Sequence, residues 1–246
     1  MSCEIVIRQA RTEDLQQRMD LVCQAYSGYF WDAFIFFFFQ ELTLECCVLA
    51  AAVLFIFCGI SATTCLVLLP IAALVVAVTV VCVHHALAHK QSQSVRQEII
   101  GIVAELRGCL LLTPRTERVP IHIQLVAEKH SAYSQYKIIS IMFQVIGTVS
   151  ISEFWGPHNR GWLHAMVVHP KWRGRGVARA LAGAARCAAA ARGLAALDAA
   201  LSHLQAGARA ALHAAGWECR AAYERPLCGA ALTLPLVRLG LDLPLA

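Results

Sequence analysis

The sequence predicts an α/β domain built on a mixed sheet and interrupted by a pair of apolar helices. Three observations predict this fold class. Segments with strand character recur along the chain, a basic glycine-rich turn joins one of them to an alanine-rich helix, and 38 consecutive residues (46–83) carry no charge. Of the 246 residues, 58% are hydrophobic and 15% are charged, which is too apolar for a simple soluble domain.

The glycine-rich turn follows a predicted buried strand at 163–168 and precedes a helix expected over 177–192. Gly174 and Gly176 let backbone N–H groups approach a ligand at a helix N-terminus, where the macrodipole favours an anion. The basic side chains of the turn, which can pair with phosphate oxygens, are Lys171, Arg173 and Arg175. The pattern lacks the Gly-Lys-Ser/Thr of a P-loop and the third glycine of a dinucleotide fingerprint. It indicates a diphosphate site, and the alternative is an ordinary strand–helix connection with basic surface residues.

The uncharged run is too long for one straight membrane span. As a continuous helix it would extend about 57 Å at 1.5 Å per residue, nearly twice a hydrocarbon core of about 30 Å. A break at 59–61 divides it into two short spans, and Pro70 is a possible kink in the second. The alternative is a buried helix pair, but a domain this small offers little room for one. We therefore expect a lipid bilayer as a partner.

Charge and cysteine spacing exclude other classes of partner. The net charge is +5 without a long Lys/Arg run, so nucleic acid is not expected. The 11 cysteines show no metal-ligand spacing, so no metal is expected.

The remaining elements are predicted from alternation, apolar content and cap signals. Strands are expected at 4–10, 121–128, 145–151, 163–168, 194–201 and from 217, and helices at 15–26, 95–106, 177–192 and 204–215.

Arg173-x-x-Gly176-x-Ala178, after the strand ending Val168-His169-Pro170, resembles the acetyl-CoA motif Gln/Arg-x-x-Gly-x-Gly/Ala of the GNAT superfamily of N-acetyltransferases. The opening 5–14 and the helix ending at 211–217 resemble the same family. An apolar insert after the first helix is similar to the membrane-bound camello-like branch. The resemblance implies a GNAT-like acyl-CoA N-acyltransferase fold interrupted by a transmembrane hairpin, in an endomembrane such as the endoplasmic reticulum.

The implied organisation has four parts, and both flanks of the insert must lie on one side of the bilayer for the domain to fold. The parts are the first strand and helix (1–33), the membrane insert (34–86), the rest of the catalytic domain (87–228) and a C-terminal tail (229–246).

The resemblance implies acetyl transfer from acetyl-CoA to an amine by direct attack, the amine being a protein lysine, an N-terminus or a small amphipathic amine. The donor would lie in a gap between the fourth and fifth strands. Its expected contacts are Val167, Val168, Arg173, Gly174, Arg175, Gly176, Val177 and Ala178. The family's usual tyrosine acid is replaced by Leu212, which favours an alternative, a membrane-anchored scaffold with weak or no activity.

His164 and Glu153 are the candidate bases. Strand alternation predicts that His164 shares a face with Met166 and Val168. A structural strand histidine and a solvated loop carboxylate are the alternatives for the two residues, and Tyr223 is a weaker candidate acid.

Overall fold

The computed structural model describes residues 3–59, 61–107, 121–125, 144–154, 159–228 and 232–243. Its strands are β1 (Cys3–Gln9), β2 (Ile100–Arg107), β3 (Ile121–Leu125), β4 (Gln144–Glu153), β5 (Arg160–Val168), β6 (Ala196–Ser202), β7 (Glu218–Cys228) and β8 (Leu232–Asp242). Its α-helices are α1 (Leu15–Ser27), α2 (Phe30–Phe38), α3 (Glu41–Cys58), α4 (Ala62–Cys65), α5 (Leu68–Ser94), α6 (Val177–Ala191) and α7 (Ala206–Ala214).

The described strands form one sheet in the order β3-β1-β2-β4-β5-β6-β8-β7. The pairs β1–β3 and β5–β6 are parallel, and the other neighbours are antiparallel. This is the mixed α/β sheet that the sequence predicts, with the glycine-rich turn at the end of a central strand.

Two sequence assignments near β2 were wrong. Residues 95–106, expected to be helical, form a short 3₁₀ turn followed by β2. β2 is buried on both faces and contains Ile100, Ile102 and Val103, whose branched side chains suit a strand. β2 therefore takes the place expected for 121–128, while β3 lies at the outer edge beside β1. The predicted loop at 129–144 falls almost wholly outside the described residues.

The C-terminal segment is part of the sheet. Residues 232–242, expected in a tail, form β8, which pairs with both β6 and β7. A strand that returns between two earlier ones has no local sequence signal, because its partners are set by the whole topology.

The helices cover the sheet on two faces. On one face α6 and α7 enclose the main core, whose fully buried members include Ile146, Leu181, Leu197, Leu212 and Trp217. On the other face α1 and the residues after α5 pack on β4 and β5 through Leu21, Val22 and Val95.

The apolar run forms two long helices joined at a turn. α3 has a mean hydropathy of 2.2 and none of it is buried, and the apolar 18-residue window within 63–97 has a mean hydropathy of 3.0 with 6% buried. Gly59 ends α3 in the left-handed conformation, and Ser61 caps α4. Pro70 is the third residue of α5, where its missing N–H costs no helical hydrogen bond. By length and composition both helices are able to cross a bilayer.

A buried ion pair joins α1 to the chain just before β2. The Arg18 guanidinium, 1% exposed, makes two hydrogen bonds to the Glu98 carboxylate. It also donates to Thr148 Oγ1 at 2.8 Å and to Ser150 Oγ at 3.0 Å. A Cβ at Gly101 would lie 2.1 Å from a Glu98 oxygen, so this glycine makes room for the pair.

Glu98→Ala should lower the free energy of unfolding by about 3 kcal/mol, because it leaves the Arg18 charge buried without its partner. Glu218→Ala, which removes an exposed carboxylate on β7, is the matched control and should change stability by less than about 0.5 kcal/mol. Chemical unfolding in detergent checks both. Equal effects of the two variants would show that the pair does not stabilise the fold.

Candidate functional site

The site begins where β5 and β6 part. Among the described residues, the two parallel strands pair at three successive positions, the last being Trp162 opposite Asp198. β5 then continues for six residues to Val168 without pairing with β6. The buried Asp198 carboxylate accepts from Arg238 on β8 at 3.1 Å and lies 3.2 Å from Arg160 Nε on β5. These ion pairs tie three strands together at the closed end of the cleft.

A β-bulge lies within the unpaired part of β5. The register with β4 shifts between Ser150, opposite His164, and Thr148, opposite Val167. Ala165 adopts φ of +50°, which a non-glycine residue rarely does, and it is buried. His164 and Ala165 both lie on the α1 side of the sheet and Met166 lies on the α6 side, which is the change of alternation that a bulge causes. The expectation that His164 shares a face with Met166 and Val168 was therefore wrong.

The bulge is followed by a backbone amide that faces the cleft. The His169 N–H donates to the Ile146 carbonyl at 2.8 Å. Because hydrogen bonding alternates along an antiparallel pair, the N–H of the preceding Val168 points away from β4, toward the side that β6 has left. The Val168 carbonyl, on the same side, accepts from Arg173 Nε at 3.2 Å.

The turn at the open end of the cleft carries two glycines with positive φ, Gly174 (+74°) and Gly176 (+81°). Gly176 is the N-cap of α6 and offers no side chain to its first amides. The N–H groups of the first helical turn, residues 177–179, have no acceptor within the helix. The guanidinium of Arg175 stacks 4.9 Å above the Trp172 ring, and Arg173 is held by the Val168 carbonyl. The turn thus combines exposed amides with two fixed cations, a combination suited to a diphosphate.

His164 is the ionisable side chain that the structure places beside the cleft on the α1 face. Its Nδ1 lies 3.2 Å from Ser94 Oγ, at the end of α5. Burial lowers the pKa of His164 to about 4, with the charge of Glu98 opposing the change and that of Arg18 adding to it. The imidazole is therefore neutral at pH 7.

Glu153 is not brought to the same place. It pairs with Gly161 at the end of β4 and is exposed. Since directly opposed residues share a face, Glu153 lies on the α6 side with Ile151 and Leu163, opposite to His164.

Neither the family's usual acid position nor Tyr223 supplies a proton donor beside the cleft. Leu212 is 0% exposed within the α6–α7 core. His213 Nδ1 bonds the Trp217 carbonyl at 3.0 Å, and Tyr223 is 43% exposed on the edge strand β7. Among the described residues, no group of three His, Cys, Asp or Glu side chains could hold a metal ion.

Sequence reasoning missed three features of this site. Ala165 has no residue signature of a bulge, Ser94 lies in a polar stretch without a motif, and Asp198 was assigned only to a weakly predicted strand. Each becomes visible only when the strands are paired.

Part of the chain matches a known protein family. Residues 108–217, which include β5, the turn and α6, match the model of the acetyltransferase (GNAT) family. No curated protein matches the chain.

Several solved structures align with parts or most of this chain. They include the putative acetyltransferase yncA from Salmonella typhimurium with its cofactor acetyl-CoA (14% identity, 98% of this chain and 94% of that one, TM-score 0.49). An N-acetyltransferase from Staphylococcus aureus Mu50 aligns at 13% identity over 98% of this chain and 99% of that one, with a TM-score of 0.48. The ribosomal-protein-S18-alanine N-acetyltransferase from Escherichia coli aligns at 16% identity over 42% of this chain and 64% of that one, with a TM-score of 0.36.

The family match covers the strand, turn and helix that build the cleft, and acetyl-CoA is the acyl donor of that family. The part of the chain that builds the cleft therefore matches the acetyltransferase (GNAT) family.

Proposed function

We propose that the chain is a membrane-bound N-acetyltransferase that transfers the acetyl group of acetyl-CoA to an amine by direct attack. The observation that carries this proposal is the separation of β5 from β6 after Trp162, in a cleft that opens onto the Arg173–Ala178 turn. An extended pantetheine arm fits beside β5 as an added strand, and its diphosphate fits the turn.

The donor thioester is positioned by the backbone. The turn residues 173–178 hold the diphosphate, and 167–168 lie along the arm. In this proposal the inward N–H of Val168 donates to the thioester oxygen, where negative charge develops during attack. Val167 contributes its backbone alone, because its side chain packs on the α1 side of the sheet.

The transfer forms one bond and breaks another. The amine nitrogen attacks the carbonyl carbon, a C–N bond forms, the C–S bond breaks, and the sulfur leaves as the CoA thiolate. The nitrogen loses a proton, and in this proposal neutral His164 accepts it directly or through a water. Glu153 lies on the other face of the sheet, so we assign it no part in this step. Since Leu212 cannot donate a proton, the thiolate takes its proton from solvent.

The apolar helices support a membrane location. α3 spans about 27 Å at 1.5 Å per residue, close to a hydrocarbon core. Its side chains are exposed around the helix, including Ile56 at 70% and Phe57 at 81%. A helix that is apolar on every side and unburied is typical of a lipid-exposed span. α3 and α5 form a hairpin, so α1 and β2 lie on one side of the bilayer and the domain folds there.

An acceptor held near the membrane fits this arrangement. The aromatic helix α2 lies in the chain between α1 and α3. The ring centroids of Phe36 on α2 and His203, just after β6, are 5.8 Å apart. We propose an amine borne by a membrane-associated lysine, N-terminus or small amphipathic molecule.

Arg173→Ala/Arg175→Ala should weaken acetyl-CoA binding at least tenfold, because charge-assisted hydrogen bonds to phosphate contribute about 1.5–3 kcal/mol each. Calorimetric titration in detergent measures it. The matched control is Arg186→Ala/Arg192→Ala, which removes two exposed arginines from the other end of α6. No binding to the wild type, or equal binding by both variants, would contradict the proposed donor site.

A measurement of turnover distinguishes an active acetyltransferase from a scaffold that binds acetyl-CoA without reaction. The assay measures acetylation of amine-bearing peptides and of long-chain amines in bilayers, corrected for the hydrolysis of acetyl-CoA. The variant His164→Gln should lose this activity and should still bind acetyl-CoA. Binding without acetylation of any of these amines would favour the scaffold, for which the buried Leu212 is the supporting observation.

The pKa of His164 predicts a pH effect on stability. Between about pH 6.5 and pH 4 the unfolded chain binds this proton and the folded chain does not, so stability falls as the pH is lowered through this range. Relative to His164→Gln, the wild type should lose at most about 3 kcal/mol of unfolding free energy between pH 7 and pH 4. Parallel pH dependences of the two proteins, measured by chemical unfolding in detergent, would contradict burial of a neutral imidazole.

The hairpin predicts that position 61 and Cys187 lie on opposite sides of the bilayer. In a background without other cysteines, Ser61→Cys and the exposed Cys187 should react with a membrane-impermeant maleimide from opposite sides of sealed vesicles. Labelling of both from one side would exclude two membrane passes.

A further inference from the structure

The last residue of α5 lies against the candidate base. Ser94 ends the helix that begins within the apolar run at Leu68, and its Oγ is 3.2 Å from His164 Nδ1. His164 and Ser94 are 70 residues apart in sequence, so this contact forms only when α5 packs on the sheet. α5 packs beside α1. Val95, directly after α5, and Val22 of α1 lie next to Ala165 on the sheet.

The direction of the hydrogen bond follows from the single proton of the serine hydroxyl. Ser94 Oγ donates to the Gln91 carbonyl at 2.7 Å, the bond that a serine commonly makes within its own helix. Since the contact to the Gln91 carbonyl is the shorter of the two and a carbonyl can only accept, the proton lies toward Gln91, and the hydroxyl oxygen faces His164 as an acceptor. A neutral imidazole carries one N–H, and this N–H must be on Nδ1 to complete the bond.

We infer that Ser94 is a positioning residue that holds His164 in the Nδ1–H tautomer, so that the Nε2 lone pair is presented to the attacking amine. This inference rests on the proposed role of His164 as base. The serine touches neither donor nor acceptor, and it acts through the imidazole alone.

Among the described residues, the other polar groups beside His164 are bonded to one another. Ser150, the cross-strand partner of His164, accepts from Arg18, and Arg18 is also bound to Glu98 and Thr148. Arg18 and Glu98 act on the imidazole as charges of opposite sign. The tautomer is therefore selected by Ser94, at the end of α5, and not by the ion pair.

The test measures the tautomer directly. In protein labelled with ¹⁵N-histidine, the His164 signals, identified by their absence from His164→Gln, should show a protonated Nδ1 and an unprotonated Nε2 at pH 7. Ser94→Ala should shift the resonances toward a mixture of the two tautomers, while Ser94→Thr, which keeps the hydroxyl, should preserve the wild-type pattern. The matched control is Ser92→Ala, because Ser92 makes the same kind of bond, to the His89 carbonyl at 2.9 Å, on the same helix.

Kinetics complete the test. Ser94→Ala should lower kcat about five- to tenfold, with the KM for acetyl-CoA unchanged, as loss of one neutral hydrogen bond would. Ser94→Thr should restore kcat, and Ser92→Ala should leave it unchanged. An Nε2–H tautomer in the wild type, or an unchanged tautomer in Ser94→Ala, would overturn the inference whether or not the protein acetylates amines. Full activity of His164→Gln would instead overturn the proposed function on which the inference rests.

Discussion

The cleft depends on backbone hydrogen bonding that β6 supplies to only the first part of β5. Asp198 on β6 forms ion pairs with Arg160 on β5 and Arg238 on β8. Beyond this point β5 and β6 no longer pair. A strand edge presents N–H and C=O groups that require partners. An extended amide-bearing arm can pair with that edge, and the helix N-terminus beyond Val168 can bind an anion. The free edge of β5 and the open helix N-terminus both result from the point at which β5 and β6 stop pairing.

The bulge at Ala165 changes what the cleft can do chemically. Without it, Met166 and Val168 would share the α1 side with His164, because His164 alternates regularly with Leu163 before the register shifts. The imidazole faces α1 and α5, where Ser94 and the Arg18–Glu98 pair lie, and the extra residue returns Met166 and Val168 to the α6 side. The same register shift determines the direction of the Val168 amide. One strained residue therefore sets the direction of the candidate oxyanion donor relative to the candidate base.

The α1 face connects the apolar helices with the site. The buried set formed by Arg18, Glu98, Thr148 and Ser150 joins α1, the chain after α5 and β4. Ser94 extends this set to β5. α5 begins in the apolar run and ends at Ser94, which lies against His164. A change in the packing of the helical hairpin would therefore also change the position of His164.

The sequence predicted the parts of this fold that are specified locally. The turn, α6, α7 and the strands on either side of α6 follow from glycine positions, caps and apolar periodicity, and the structure contains them at the expected places. It could not predict β8, whose neighbours are distant in sequence, or β2, whose short apolar run suits a helix or a strand. It also could not predict the bulge, because alanine at positive φ is imposed by strand pairing and not by residue type.

The central claim is that β5 and the turn after it bind acetyl-CoA. Hydrogen–deuterium exchange of the detergent-solubilised protein, with and without acetyl-CoA, tests it most directly. The account predicts slower exchange at the amides of Val168 and residues 174–179 when acetyl-CoA is present, and no change at the edge strand β7. Unchanged exchange at Val168 and the turn, under conditions that saturate binding, would contradict it.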